Sequence, residues 1–256
     1  MQFIKPRLLK LSSIIVFLFF GLLLTAQVGG FKYAQMKNAK VKEAYKQKWD
    51  SLKIALKAKG LTANFDLLVR AYKMEKKLEV WIKNKPDKVY KLFRTYDICA
   101  TSGTPGPKRK EGDGQIPEGF YTFDLYNPNS EYYLSLRVSY PNHSDKVLGD
   151  KKSPGGAIMV HGNCVTIGCI PITDDKIKEL YILAVEVKNN GGEVPIDIFP
   201  CYLTDANMKK LEKENKPELM PFWKNLKEAY DYFVKNSTNP AIHSDKTGTY
   251  IYSDKD

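Results

Sequence analysis

Cys169 stands directly after Gly168, and His161 stands eight residues before it, in the stretch His161-Gly162-Asn163-Cys164-Val165-Thr166-Ile167-Gly168-Cys169. A thiolate is a nucleophile, and an imidazole that takes the thiol's proton is the usual means of making one near neutral pH. Gly168 can adopt a positive φ, which would lift the sulfur out of a strand. The same residues admit other chemistry. Cys164 and Cys169 beside His161 could ligate a metal or form a disulfide, and a cysteine without chemistry packs as a small hydrophobe. If Cys169 is the nucleophile, it and His161 are expected to rest partly as thiolate and imidazolium, because each charge favours the other.

The flanks supply the elements that must hold this segment. Ala157 to Val160 reads as a short strand that delivers His161. After Cys169, Thr173-Asp174-Asp175 reads as the cap of a helix through about Asn189, with Ile177, Leu180, Tyr181, Leu183 and Ala184 on its apolar side. Upstream, Phe65 to Tyr72 and Leu78 to Ile82 alternate as a hairpin, and Lys88 to Tyr96 continues it. Gly103, Gly106, Gly112 and Gly114, interspersed with Pro105, Pro107 and Pro117, then exclude a helix. Lys108, Asp113 and Glu118 lie among them, as in an ordered loop folded beside a site rather than a linker. No Gly-Lys-Ser/Thr triplet opens a helix there, so this is not a phosphate loop. Strands are expected from Phe120 to Asp124 and from Tyr132 to Val138, around an Asn127-Pro128-Asn129-Ser130 turn, and again from Val194 to Phe199. A glycine-bearing loop fills the space between Tyr140 and Ala157. Helices are expected over 37–60, 205–215 and 220–236, with a last short strand over 249–252. Val41, Tyr45, Trp49, Leu52 and Leu56 make one apolar stripe on the first of these helices, which predicts that it docks on the domain.

The chain opens with Lys5, Arg7 and Lys10 before an uncharged apolar run, the pattern of a secretory signal peptide or an uncleaved signal anchor over residues 1–30. Either way the remainder is exported, to the periplasm or the outer face of the inner membrane, with an inner-membrane tether if the signal is retained. The formal charge is +11 over 256 residues, but the lysines are scattered without a long block or interleaved stacking aromatics, which argues against nucleic acid. An anionic polymer of the cell envelope is the partner that such a charge would favour. Cys99, Cys164, Cys169 and Cys201 do not form a disulfide framework, although an exported chain can form a bridge. A nucleophilic Cys169 must stay reduced, leaving at most one bridge among the other three.

The segment from His161 to Cys169, preceded by Gly106 to Tyr121 and by Tyr140-Pro141-Asn142, resembles the L,D-transpeptidase catalytic domain of the YkuD type, and within that family its YafK-like branch. The resemblance runs from about Phe65 to Tyr252, so that the signal and an amphipathic helix over 31–62 precede a catalytic domain with C-terminal helices over 63–256. The implied fold is α+β, a β-rich sandwich-like domain with appended helices. The implied activity is acyl transfer on stem peptides of peptidoglycan through a thioester at Cys169, with His161 as base, serving cell wall organisation and cell shape. Gly168, Gly162 and Thr166 match the positions that support the nucleophile and the oxyanion, and Tyr121, Lys108, Asp113 and Glu118 would line the substrate cleft. No metal or organic cofactor is implied. Ile167 replaces a second histidine of the general family, and Pro171 replaces a polar residue. The branch also holds a hydrolase of a protein–peptidoglycan link, so water as the acyl acceptor is the alternative.

Overall fold

The computed structural model describes residues 30–214 and 217–254. The signal segment read over 1–30 lies, but for Gly30, outside the described residues. In chain order the elements are α1 (Gly30–Gln35), α2 (Ala39–Ala58), β1 (Phe65–Tyr72), β2 (Lys77–Asn84), β3 (Lys91–Asp97), β4 (Gly119–Asn127), β5 (Ser135–Val138), α3 (His143–Leu148), β6 (Met159–His161), β7 (Ile170–Pro171), α4 (Thr173–Asn189), β8 (Pro195–Phe199), α5 (Asp205–Glu214), α6 (Met220–Asn236), β9 (Ala241–Ser244) and β10 (Tyr250–Ser253). The fold is α+β. Strands run in the order β3-β2-β1-β8-β4-β5-β6-β7, with β9 and β10 as a separate pair. The β1–β8 and β6–β7 pairs are parallel and the other pairs in the large sheet are antiparallel.

Period two on β1 and β8 divides the core. Leu67, Val69 and Ala71 of β1, with Ile196 and Ile198 of β8, join the cluster that includes Ile177, Leu180 and Ala184 of α4. Tyr72 and Phe199 project into the other cluster, against Trp223, Leu226 and Tyr230 of α6. Arg70 belongs to this second face: its guanidinium lies 4.1 Å from the Phe233 ring centroid and its Nε sits 3.4 Å from Asp197.

The stripe on α2 docks as its spacing predicts. Val41, Ala44, Tyr45, Leu52 and Leu56 are buried in the α4 cluster, and the Tyr45 hydroxyl donates to Glu186 at 2.8 Å. The helix expected over 37–60 begins instead at Ala39, because the Asn38 side chain accepts from Lys40 N at 2.8 Å and caps it. Among the described residues no helix is long and apolar enough to cross a membrane.

Several expected boundaries move. The strand over 132–138 starts only at Ser135, since Tyr133 sits at φ 72 and interrupts the extended backbone. The stretch between Tyr140 and Ala157 contains α3, started by a capping box in which Asn142 and Asp145 bond each other's backbone N–H. Thr173 does not cap α4: it has φ 69, and no side chain caps that terminus.

Candidate active site

His161 ends β6, and β7 begins one residue after Cys169. The two strands pair in parallel, Val160 opposite Ile170 and His161 opposite Pro171. Continuing that register by one residue sets Cys169 beside Met159, one strand over and two residues along from His161. The turn into β7 is made by Gly168 at φ 93, a conformation that a side chain would strain, with the Gln115 carbonyl 3.2 Å from where a Cβ would stand.

Cys169 is half-buried and unbridged. Its thiol donates a long contact of 3.7 Å to the Ala157 carbonyl. Thr166 clamps its backbone: the hydroxyl accepts from Cys169 N and donates to Cys169 O, both at 2.8 Å. Gly168 N donates to Ser102 Oγ at 2.7 Å. The backbone N–H groups of Gly168 and Cys169 are therefore both engaged by hydroxyls, and Thr166 braces the backbone of Cys169. Gly162 has no room for a side chain, since a Cβ there would lie 2.4 Å from Asp174 Oδ1.

His161 is buried, its Nδ1 is held by the Gly162 carbonyl, and its Nε2 has no hydrogen-bond partner. The first contact assigns the proton to Nδ1 and leaves a lone pair on Nε2. The Tyr132 ring covers the imidazole with centroids 4.7 Å apart. No hydrogen bond joins His161 to Cys169. Burial pushes the His161 pKa below its ordinary value, with the Gly162 carbonyl opposing. Burial pushes the Cys169 thiol up, against smaller downward pulls from the Met159 backbone and the Lys108 ammonium. Both directions favour the neutral forms, against the expected resting thiolate–imidazolium pair.

The other cysteines are committed elsewhere. Cys99 and Cys164 form a disulfide across 65 residues. That bridge removes Cys164 from the metal and Cys164–Cys169 readings, and among the described residues no group of three or more His, Cys, Asp or Glu could hold a metal ion. Cys201 is buried, and burial pushes its thiol up to about 12.

The glycine-rich loop reaches the Gly168 turn through the Gln115 carbonyl, but its polar residues divide. Lys108 is buried near the site and donates to Asp113 at 2.7 Å and to the Lys110 carbonyl at 2.8 Å. Asp113 also accepts from the backbone N–H groups of Arg109, Lys110 and Gln115. The expected placement of Glu118 and Tyr121 along a cleft is corrected by the interior. Glu118 is fully buried and accepts from Lys73, from Gly106 N and from Trp223, each at 2.8 Å. Tyr121 is buried with its hydroxyl donating to Asp145 at 2.9 Å, and the cavity it borders, against β9, is not lined by His161 or Cys169.

A different cavity, of about 680 Å³, opens beside the 161–169 loop, with Tyr132, Tyr133, Asn163, Cys164 and Asp174 in its wall, and His161 and Cys169 do not line it either. Ser102, Tyr132 and Asp174 are the neighbours that sequence reasoning missed. Asp174 reads as a helix cap, yet its carboxylate accepts from Asn163 N at 2.7 Å and ties the loop to α4. Ser102 and Tyr132 carry no local signal, because only the tertiary fold brings them to Gly168 and His161.

A mixed sheet with helices on its faces, and a single half-buried thiol at the turn between its last two strands, defines a cysteine-bearing α+β domain. The YkuD family, the L,D-transpeptidase catalytic domain, matches residues 68–196, and the chain belongs to that family. It is 35% identical over 188 residues, 72% of this chain and 73% of the relative, to YafK of Escherichia coli (strain K12), whose designation as an L,D-transpeptidase is itself provisional. Among solved structures, the helical cell shape determining protein Pgp2 of Campylobacter jejuni aligns over 72% of this chain and 74% of its own, with a TM-score of 0.44 and 18% identity.

Proposed function

We propose that the chain is an exported, cysteine-dependent L,D-transpeptidase acting on the stem peptides of peptidoglycan. One observation carries the reading: the single thiol that is neither bridged nor sealed in the core, Cys169, lies at the turn into β7, beside the strand that ends on His161 with an unpartnered Nε2. In the first half-reaction the sulfur bonds to the carbonyl carbon of the stem peptide's third residue and the C–N bond to the terminal D-amino acid breaks. His161 Nε2 takes the thiol proton and returns it to the leaving amine. In the second, an amine of a neighbouring stem attacks the thioester and restores the thiol. Neutral resting forms suit this sequence, since the base holds its lone pair until substrate arrives. The Cys99–Cys164 bridge fits an oxidising compartment and supports export. Family membership supports the substrate class.

Incubating the purified protein with labelled stem tetrapeptides and separating the products by mass tests the reading. A cross-linked dimer means transfer, a tripeptide alone means that water is the acceptor, and turnover that survives Cys169→Ala rejects the thioester.

A further inference from the structure

Cys169 is buried enough to disfavour a thiolate, and His161 is buried enough to disfavour an imidazolium. A thiolate forming during acyl transfer can draw on the Met159 backbone and, beyond it, on positive charge near the sulfur. The charged side chain whose field reaches Cys169 comes from the glycine-rich loop, and it is Lys108. Lys108 is 5% exposed, an unusual position for an ammonium. Two of its three N–H donors are used, on Asp113 and on the Lys110 carbonyl. Its stem runs against Gly155: a Cβ there would lie 2.9 Å from Lys108 Cε and 3.3 Å from Nζ. Two residues further on, the Ala157 carbonyl receives the Cys169 thiol. The ammonium and the sulfur thus flank one short segment of backbone.

We propose that Lys108 is a positioning residue for the nucleophile: its buried ammonium, oriented by Asp113 and packed against Gly155, supplies the positive charge that steadies the Cys169 sulfur as it loses its proton. Asp113 holds the lysine and offsets only part of its charge, because three backbone N–H groups share the carboxylate. The inference rests on Cys169 being the nucleophile, but it concerns the thiol's ionisation and can be measured without turnover.

The experiment follows iodoacetamide alkylation of Cys169 in the full chain against pH, by mass, with Cys169→Ala to show that the signal belongs to that thiol. Lys108→Met should move the midpoint up by about one pH unit, a roughly tenfold slower reaction at a fixed pH below it. Lys108→Arg, which keeps the charge, should stay near the unmodified protein. Asp113→Asn, which keeps one of the two acceptor oxygens and removes the charge that partly offsets the lysine, should move the midpoint down. Opposed shifts are what a merely structural role for the loop cannot produce. A Lys108→Met profile that superimposes on the original, or shifts of the same sign in Lys108→Met and Asp113→Asn, overturns the proposal. If Lys108→Met does not fold, Asp113→Asn decides alone: a downward shift supports the inference and no shift rejects it. Stem-peptide turnover by Cys169→Ala is scored separately, so a failure of the transpeptidase reading is told apart from a failure of this one.

Discussion

At the residue scale the site is a problem of holding one sulfur still. Thr166 does so with a single hydroxyl that both accepts from Cys169 N and donates to Cys169 O. Thr166→Val keeps the shape and removes both bonds. Misplacing a reacting atom by about an ångström can cost on the order of a hundredfold in rate. We expect Thr166→Val to lower kcat by about ten- to a hundredfold with little change in KM, and Thr166→Ser to recover most of it; equal kcat in all three would remove Thr166 from the mechanism. The thiol itself should alkylate slowly at neutral pH. Because burial holds its pKa above the ordinary value of 9.0, the iodoacetamide rate should still be climbing at pH 9; a plateau already reached near pH 7 would restore the thiolate–imidazolium pair. The tight turn at Gly168 was legible in the sequence, since a glycine directly before Cys169 allows a positive φ, and it has φ 93. The resting protonation was not, because it depends on burial by segments distant in the chain.

At the scale of elements, long regular segments were readable and short ones were not. The ranges of α4 and α6 follow from unbroken 3.6-residue patterns. β7 has two residues and β9 has four, too few to show a period. α3 could have been found, since Asn142 and Asp145 have capping-box spacing, but Gly149 and the residues after it read as loop. Glu118 misled for another reason: a carboxylate in a glycine-rich loop looks accessible until Lys73 and Trp223 are brought to it. It joins β1's end, the loop and α6, so Glu118→Ala strands a buried ammonium. Breaking such a pair costs about 3–5 kcal/mol, readable as a lower urea midpoint at unchanged slope. A loss under about 1 kcal/mol would mean that the loop is not anchored there. The Cys99–Cys164 bridge ties the 161–169 loop to the segment after β3, where Cys99 N also donates to the Pro171 carbonyl at 3.0 Å. Closing 65 residues stabilises by about 4 kcal/mol in the chain-entropy model. Reduction should lower the thermal midpoint and, by loosening the loop, slow Cys169 turnover as well; a reduced protein with unchanged midpoint and rate would leave the bridge without a role.

At the scale of the whole molecule, α2 carries the core past β1 toward the N-terminus. The apolar stripe announced a buried face, but not that the face would share a core with α4 and the sheet. That follows only once Tyr45 is seen bonded to Glu186 and Lys48 paired with Asp175 and Glu179. These polar contacts rim a dry seam in which Leu52 is 1% exposed. A spacer helix standing free of the domain would leave that seam wet, at about 25 cal/mol per Å² of apolar surface. Leu52→Ala should therefore cost about 2–5 kcal/mol of global stability, the range for emptying a leucine's place in a packed core. The loss should appear in one cooperative transition, followed alike by α2 and by the sheet, because the seam belongs to both. Limited proteolysis gives the complementary reading. The 39–58 helix should resist cleavage in the unmodified protein and become sensitive in Leu52→Asp, where a buried carboxylate without a partner forces it off. Rapid nicking of 39–58 in the unmodified protein, or a Leu52→Ala variant that unfolds at the original midpoint, would show that the helix is a spacer and that the core ends at β1.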